Sequence, residues 1–279
     1  MKLLVLFLQY DLQKYPNSFQ NFKRYIDLLD CKKNIIIIDN LSENRIEEKI
    51  AWNIYFIGGD NSSWEFSGWD KGVAFAKQKK LNFDVVLFAN DSFFSYGWSI
   101  LENCARYKLP DIAYRKKAIV GQLDTKNFLM NAFGYDVSTW ICTNTFFIHK
   151  EILEKVVPLA HLSDTDLDMI VSKSFDKKKF LCNNILSTSY KEMLLQWLTK
   201  DWHSKMVISE ENFDFFRKKV TAMINESLLT ARIRSLGYEV LSYSEIQNNY
   251  NSRKVKKNLR SFFGKLTQWY HSVSSGCGA

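Results

Sequence analysis

Short apolar runs that end in polar residues recur along the first hundred positions of the chain. They cover residues 2–8, 34–38, 52–57 and 85–89, and each is predicted to be a strand. The fully apolar run 85–89 has the length and composition of a strand buried on both faces of a sheet. Between them, apolar residues fall at helical spacing over 18–29 and 68–79, and a more polar pattern over 43–51 predicts a short helix. Strands that alternate with helices in this way predict an α/β fold with a mostly parallel, right-handed central sheet flanked by helices.

Polar side chains follow three of these strands where each strand ends. They are Tyr10 and Asp11 after the first strand, Asp39 and Asn40 after the second, and Asn90 and Asp91 after the fourth. Because open α/β sheets bind ligands at the carboxyl ends of their strands, we expect one shared crevice. Asp39 suits either a nucleoside contact or a helix cap. Asp91 suits either a hard divalent cation or a polar turn.

A loop rich in glycine and small polar residues runs from residue 58 into the helix predicted at 68–79, and it contains Asp60 and Gly68. Free amide groups and the positive end of the helix dipole favour a diphosphate there. The glycine spacing matches no phosphate-loop fingerprint. The aromatic residues Trp64, Phe66 and Trp69 are typical of packing rather than of ligand contacts.

Composition narrows the class of protein. A formal charge of +8 and a pI near 9.1 permit an anionic partner, whether a nucleotide, a lipid head group or a nucleic acid. Five scattered cysteines argue against a disulfide framework or a zinc site and favour a reducing compartment. Residues 2–8 read as a first strand rather than a signal peptide. We therefore expect a cytoplasmic protein, soluble or peripheral on the inner face of the cell membrane.

The second half of the chain adds three features. Residues 139–148 form a β-rich run with Asn144 in its middle, followed by a helix over 150–157. A helix that ends at Gly237 leads into another strand. Basic and apolar residues alternate over 253–270, which predicts an amphipathic helix that lies on an anionic membrane, packs on its own domain or contacts a partner chain of an oligomer. Since the basic residues cluster in this tail while the crevice is acidic, a nucleic-acid partner is not favoured.

Several of these stretches resemble one family. Ile36–Ser42 is similar to the strand followed by Asp-Asn-x-Ser that begins bacterial GT-A-fold glycosyltransferases of the large inverting family that builds surface polysaccharides. Glu65–Gly72, followed by the strand ending in Asn-Asp-Ser, resembles the subgroup close to rhamnan-synthesis proteins. Arg232–Tyr238 matches its Arg-x-Arg-x-x-Gly-Tyr pattern. The resemblance covers about residues 2–243, with a poorly matched insertion over about 159–214.

The resemblance implies a GT-A-like (Rossmann-like) domain over 1–250, with a nucleotide-sugar half (1–100) and an acceptor half (101–250), and a basic tail over 251–279. It implies a saccharide or lipid-linked saccharide acceptor in O-antigen, capsule or lipooligosaccharide synthesis, and Mg²⁺ or Mn²⁺ at Asp91. The Asn-Asp-Ser sequence at residues 90–92 has one carboxylate, whereas the family's Asp-x-Asp metal motif has two. The implied donor-binding residues are Tyr10, Asp11, Asp39, Asn40, Asp60, Gly68, Asn90 and Asp91, and the implied acceptor residues are Trp140 and Asn144.

Glu226 is the general base that the resemblance implies. The family shows a Glu-Asp pair at the start of a helix seven residues before the Arg-x-Arg pattern, and here Asn225 stands at the Glu position and Glu226 at the Asp position. From the residues alone, Glu226 also reads as a first-turn carboxylate that favours the helix dipole. The alternative function is a non-catalytic basic module that binds membrane or nucleic acid on the same fold.

Overall fold

The computed structural model describes residues 1–42, 47–93, 98–172, 180–182, 184–201 and 206–252. The strands in this part of the chain are β1 (Lys2–Gln9), β2 (Lys32–Asp39), β3 (Glu48–Ala51), β4 (Ile54–Gly58), β5 (Val85–Asn90), β6 (Ala118–Thr125), β7 (Asn131–Ala132), β8 (Tyr135–Asp136), β9 (Thr139–His149) and β10 (Glu239–Ser242). The α-helices are α1 (Ser18–Asp27), α2 (Glu65–Gln78), α3 (Trp98–Cys104), α4 (Leu109–Lys116), α5 (Lys150–Val156), α6 (Asp164–Ile170), α7 (Thr188–Gln196) and α8 (Phe213–Ser235). A π-helical turn (Trp197–Asp201) and a 3₁₀ turn (Glu210–Asn212) flank the gap before α8.

A mixed sheet in the order β10-β6-β9-β5-β1-β2-β4-β3 is the centre of the described residues. β1 pairs in parallel with both β2 and β5, and β2 pairs in parallel with β4. Only β3 and β9, within this sheet, run against the other strands. The carboxyl ends of β1, β2 and β5 therefore meet at one edge, and the predicted α/β class with a mostly parallel sheet is confirmed.

Both faces of the sheet are covered, which explains why the inner positions of its central strands, residues 3–8, 35–38 and 85–89, are apolar. Leu4, Leu6 and Leu8 of β1 lie on the face covered by α2, whose Trp69 is fully buried. The alternate residues of β1 lie on the opposite face and pack with α1. A third apolar cluster joins α7, α8 and the small β7–β8 sheet.

One predicted element is wrong. The polar pattern of residues 43–51 predicts a short helix, but Glu48–Ala51 is the edge strand β3, paired antiparallel with β4. An edge strand exposes most of its side chains, so polar composition does not prevent pairing, and β4 supplies the backbone partners. Residues 43–46 lie outside the described residues.

The end of α8 follows the sequence expectation. Gly237 adopts a φ of +80°, a left-handed conformation that favours glycine, and β10 begins two residues later. The basic stretch 253–270 lies outside the described residues, so its amphipathic helix and its membrane contact stay predictions, as does the division into two functional halves. Among the described residues, no helix is both long enough and apolar enough to cross a bilayer.

Candidate active site

The predicted crevice is a cavity of about 450 Å³ at the carboxyl edge of the sheet. The ends of β1, β2 and β5 form one side of it, and β9 and α8 form the other. Its polar lining residues are Tyr10, Asp11, Lys14, Tyr15, Asn40, Asn61, Glu65, Asn90, Asp91, Ser92, Thr143, Asn144, Lys219 and Glu226. Three strand ends therefore do converge on one pocket, as the polar residues after those strands predict.

Asp91 ties two of the strand ends together. Its Oδ2 accepts hydrogen bonds from the backbone amides of Tyr10 at 2.6 Å and Asp11 at 2.7 Å. The side chain is buried, and this burial raises the pKa of its carboxyl, while the two amides oppose the rise. One oxygen of Asp91 is thus committed to holding the end of β1 beside the end of β5.

The donor set at Asp91 fits a divalent cation only in part. The negative charge of Asp11 contributes to the raised pKa of Asp91, so the two carboxylates are close, and both line the cavity. No cluster of three or more metal-binding His, Cys, Asp or Glu side chains occurs within the described ranges. Mg²⁺ commonly takes one or two protein carboxylates and completes its shell with water and substrate phosphate. Asp11 and Asp91 therefore suit a cation that arrives with a diphosphate, rather than a centre made of protein ligands alone.

Asn40 shapes the loop that follows β4. Its carboxamide donates to the carbonyl of Trp64 at 2.9 Å and to Oδ1 of Asn61 at 3.0 Å. A Cβ at Gly59 would lie 2.3 Å from Asn40 Oδ1, and one at Gly68 would lie 2.8 Å from the same atom. Both glycines are therefore required for close packing around a buried amide, and Gly68 is not among the residues lining the cavity.

Aromatic rings form one wall of the cavity. Tyr10 and Trp64 stack with their centroids 5.9 Å apart, and Phe215 meets the edge of Trp64 at 5.8 Å. The ammonium group of Lys219 lies 4.1 Å from the centroid of Trp64. Trp64 has a φ of +54°, which is uncommon for a residue with a side chain. Trp64 therefore packs, as its pattern suggests, but it also lines the cavity.

Glu226 lies in the middle of α8, opposite the strand ends, and contacts β9. The sequence-based reading of Glu226 as a first-turn carboxylate is therefore wrong, because the helix begins at Phe213. Its Oε1 accepts from the backbone amide of Thr143 at 2.7 Å and is 2.9 Å from the hydroxyl of Thr143. Burial raises the pKa of Glu226 to about 7, with a further contribution from the charge of Glu65, while the bonds from Thr143 and the charge of Lys219 oppose the rise. A carboxyl that titrates near neutral pH is suited to proton transfer.

A second cavity of about 480 Å³ adjoins the first. Trp140, Gln122 and Asp124 line it, whereas Asn144 and Glu226 line both cavities. The ammonium group of Lys126 lies 5.4 Å from the centroid of Trp140. Glu226 therefore stands at the boundary between two pockets, each large enough for a small ligand.

Three of the expected donor-binding residues lie outside the cavity lining. Asp39 closes a turn by accepting from the amide of Leu41 at 3.2 Å. Asp60 accepts from the amide of Ser62 at 3.0 Å and lies 3.5 Å from the ammonium group of Lys71. Gly68 is a packing residue, as described above. The other expected residues line at least one of the two cavities. Trp140 lines the second cavity. Those that line the first cavity are Tyr10, Asp11, Asn40, Asn90, Asp91, Asn144 and Glu226.

Sequence reasoning did not single out Glu65, Thr143 and Lys219 as site residues. Glu65 belongs to the first turn of α2, next to the loop that the sequence analysis assigned to a diphosphate. Thr143 directly precedes the expected acceptor residue Asn144 in β9. Lys219 carried no local signal, because only the packing of α8 brings it to the cavity.

The residues that carry the resemblance near the end of α8 are structural. Arg232 donates to the carbonyl of Val156 at 2.6 Å, and Arg234 donates to the carbonyl of Thr139 at 3.2 Å. Tyr238 donates to Glu151 at 2.8 Å. These bonds fix α8 against α5 and β9, and thereby fix the position of Glu226.

Comparisons with known proteins do not assign the chain to a family. No protein-family model matches the sequence, and no curated protein matches it. Among solved structures, a mannosyltransferase, PcManGT from Pyrobaculum calidifontis in complex with GDP-Man and Mn²⁺, is 8% identical, with coverage of 92% of this chain and 82% of that one and a TM-score of 0.35. The Euglena gracilis mitochondrial ATP synthase is 11% identical, with coverage of 99% and 74% and a TM-score of 0.25. At these TM-scores neither likeness bears on function.

Proposed function

We propose that the protein is a nucleotide-sugar-dependent glycosyltransferase that binds its donor in the first cavity and a saccharide acceptor in the second. The observation that carries this proposal is the position of Glu226, a carboxyl with a pKa of about 7 at the boundary of both cavities. The family resemblance adds surface polysaccharide synthesis as the setting and inversion as the stereochemical course.

The first cavity has the groups that a nucleoside diphosphate requires. The stacked rings of Tyr10 and Trp64 offer an aromatic wall for a base. Lys14 and Lys219 bring positive charge to the same cavity, which favours a diphosphate. Asp11 and Asp91 would hold a divalent cation, and such a cation neutralises charge on a leaving diphosphate when it is bound.

The second cavity offers a surface for a sugar. The ring of Trp140 provides an apolar face, and the polar groups of Gln122 and Asp124 are available to sugar hydroxyls. Asn144 lines both cavities and is suited to orient either ligand.

Glu226 acts as the general base in this mechanism. An acceptor hydroxyl forms a new C–O bond to the anomeric carbon of the donor while the bond from that carbon to the diphosphate breaks. Glu226 takes the hydroxyl proton, and the nucleoside diphosphate leaves with the electron pair of the broken bond. Hydrogen bonds among the described residues reach only Oε1 of Glu226, so Oε2 is the oxygen suited to accept the proton.

The first test is ligand binding. Thermal unfolding of the full chain is measured with uridine, guanosine, adenosine and thymidine diphosphates, each with and without Mg²⁺ or Mn²⁺. We expect one nucleotide to raise Tm selectively. A panel in which no nucleotide raises Tm contradicts the proposal.

The second test is turnover, followed as nucleoside diphosphate released from the donor in the presence of candidate saccharides. Glu226→Gln keeps the side-chain shape but removes the base, so we expect turnover to fall by about 100- to 10,000-fold while the nucleotide still raises Tm. Glu192→Gln, on the exposed face of α7, is the matched control. Unchanged turnover in Glu226→Gln would remove the residue from the mechanism.

A further inference from the structure

Glu226 is linked to a second carboxylate through a single hydroxyl group. Thr143 Oγ1 lies 2.9 Å from Glu226 Oε1 and 3.1 Å from Glu65 Oε1. The three residues come from three elements: Glu65 from the first turn of α2, Thr143 from β9 and Glu226 from α8. Thr143 is buried and its amide also binds Glu226, so the bridging hydroxyl is held in place from its own backbone.

Counting protons shows what this bridge requires. A threonine hydroxyl has one proton to donate and lone pairs to accept with. If both carboxyl groups are ionised, the hydroxyl donates its one proton to one of them. Its contact with the other carboxylate then brings two oxygen lone pairs together and is not a hydrogen bond. If one carboxyl is protonated, it donates to the hydroxyl, and the hydroxyl donates to the other carboxylate. Both contacts of the Thr143 hydroxyl are then hydrogen bonds. The observed distances therefore fit a state in which the two carboxyl groups hold one proton between them.

We propose that Glu65 is a positioning residue for Glu226, and that the two carboxyl groups share one proton through the hydroxyl of Thr143. Glu65 then determines the pH at which Glu226 becomes free to accept a proton. The catalytic consequence rests on the proposed function, whereas the sharing of the proton does not.

The other groups around Glu226 do not take over this role. Within the described part of the chain, the titratable groups that interact with it include Glu65 from α2, Lys219 from α8 itself, Cys142 from β9 and Tyr190 from α7. Burial raises the pKa of Cys142 to about 12 and raises that of Tyr190 as well, so both are neutral at neutral pH. Glu65 is therefore the acidic neighbour that acts on Glu226, and Lys219 opposes it.

The test is a titration of the Glu226 side chain without any ligand. The carboxyl carbon signals of glutamate are followed by NMR against pH in the labelled full chain, and each signal is assigned by its loss in Glu226→Gln or Glu65→Gln. In the wild type we expect the two signals to follow the same titration steps, because the protons of coupled carboxyl groups leave in steps that belong to the pair.

The variants separate sharing from simple packing. In Glu65→Gln, the midpoint of the Glu226 titration should fall by about 1 pH unit or more, because a nearby negative charge is removed. Glu192→Gln should leave that midpoint unchanged. Thr143→Ser keeps the hydroxyl and should preserve the joint response, whereas Thr143→Val removes the hydroxyl and should weaken it. An unchanged midpoint of the Glu226 titration in Glu65→Gln overturns the inference. Wild-type signals of Glu65 and Glu226 that respond independently also overturn it, and this second result can be obtained even if Glu65→Gln does not fold.

Turnover gives a second readout that distinguishes this inference from the proposed function. The rising limb of activity against pH should move to lower pH in Glu65→Gln and stay in place in Glu192→Gln. If no nucleotide binds but the two carboxyl groups titrate together, the proposed function fails and the shared proton stands. If Glu226 is essential for turnover but the rising limb does not move in Glu65→Gln, the shared proton fails and the function stands.

Discussion

Glu226 should make the folded protein less stable as the pH rises. Its pKa rises from an ordinary value of 4.5 to about 7 on folding, so the folded state binds this proton more tightly than the unfolded chain. The stability gained from that proton is fully present below about pH 4.5 and is lost as the pH rises toward about 7. Since one pKa unit corresponds to about 1.4 kcal/mol, the loss is about 3 kcal/mol once the carboxyl is ionised.

Glu226→Gln cannot ionise, so it avoids this loss of stability at high pH, while the amide oxygen of the glutamine can still accept the hydrogen bonds from Thr143. The assay is the free energy of unfolding from urea titrations of both proteins at about pH 5 and about pH 8. We expect the advantage of Glu226→Gln over the wild type to grow by about 2 to 3 kcal/mol between the two pH values, since most of the titration lies in that interval. Glu192→Gln on exposed α7 should show no such growth.

An advantage of Glu226→Gln that is the same at both pH values would refute the reasoning, because it would mean that Glu226 titrates alike in the folded and unfolded states. A gain of stability at high pH together with a loss of turnover would instead identify a carboxyl that is kept for chemistry at the expense of stability.

Three other substitutions test the walls of the cavity. Asp91→Ala leaves the amides of Tyr10 and Asp11 without their acceptor and should lower the free energy of unfolding by about 1–3 kcal/mol; Asp91→Asn, which keeps an acceptor oxygen, should lower it less, and equal losses would contradict the clamp. Gly68→Ala places a Cβ 2.5 Å from a methyl carbon of Leu8 and should lower the free energy of unfolding by about 1–3 kcal/mol in the same urea titration, so an unchanged free energy would show that the site relaxes freely. Trp64→Leu removes the stacking surface and should weaken nucleotide binding by about tenfold or more in calorimetry; an unchanged Kd would place the base elsewhere.

The sequence was sufficient for the elements that depend on local pattern. Runs such as residues 35–38 are apolar throughout because both faces of β2 are covered, and this makes them recognisable without a structure. The convergence of polar residues at one edge follows from parallel pairing of β1 with β2 and β5. Asp91 and Asn40 could be placed near the cavity for that reason.

The particular contacts could not be read from the sequence, because they depend on pairing between distant segments. Asp39 and Asn40 are adjacent, yet only Asn40 lines the cavity, since Asp39 turns to the amide of Leu41. β3 was misassigned because its partner strand, not its own pattern, decides its conformation. Lys219 required knowledge of how α8 packs.

The bridge at Thr143 has a consequence for how the chain is made. It joins residues that are 78 and 83 positions away in the sequence. A nascent chain on the ribosome that has not yet exposed residue 226 therefore holds Glu65 and Thr143 without their third member. Any proteolytic cut or truncation that removes α8 leaves the same incomplete set, so docking of this helix is the event that assembles the proton-sharing pair.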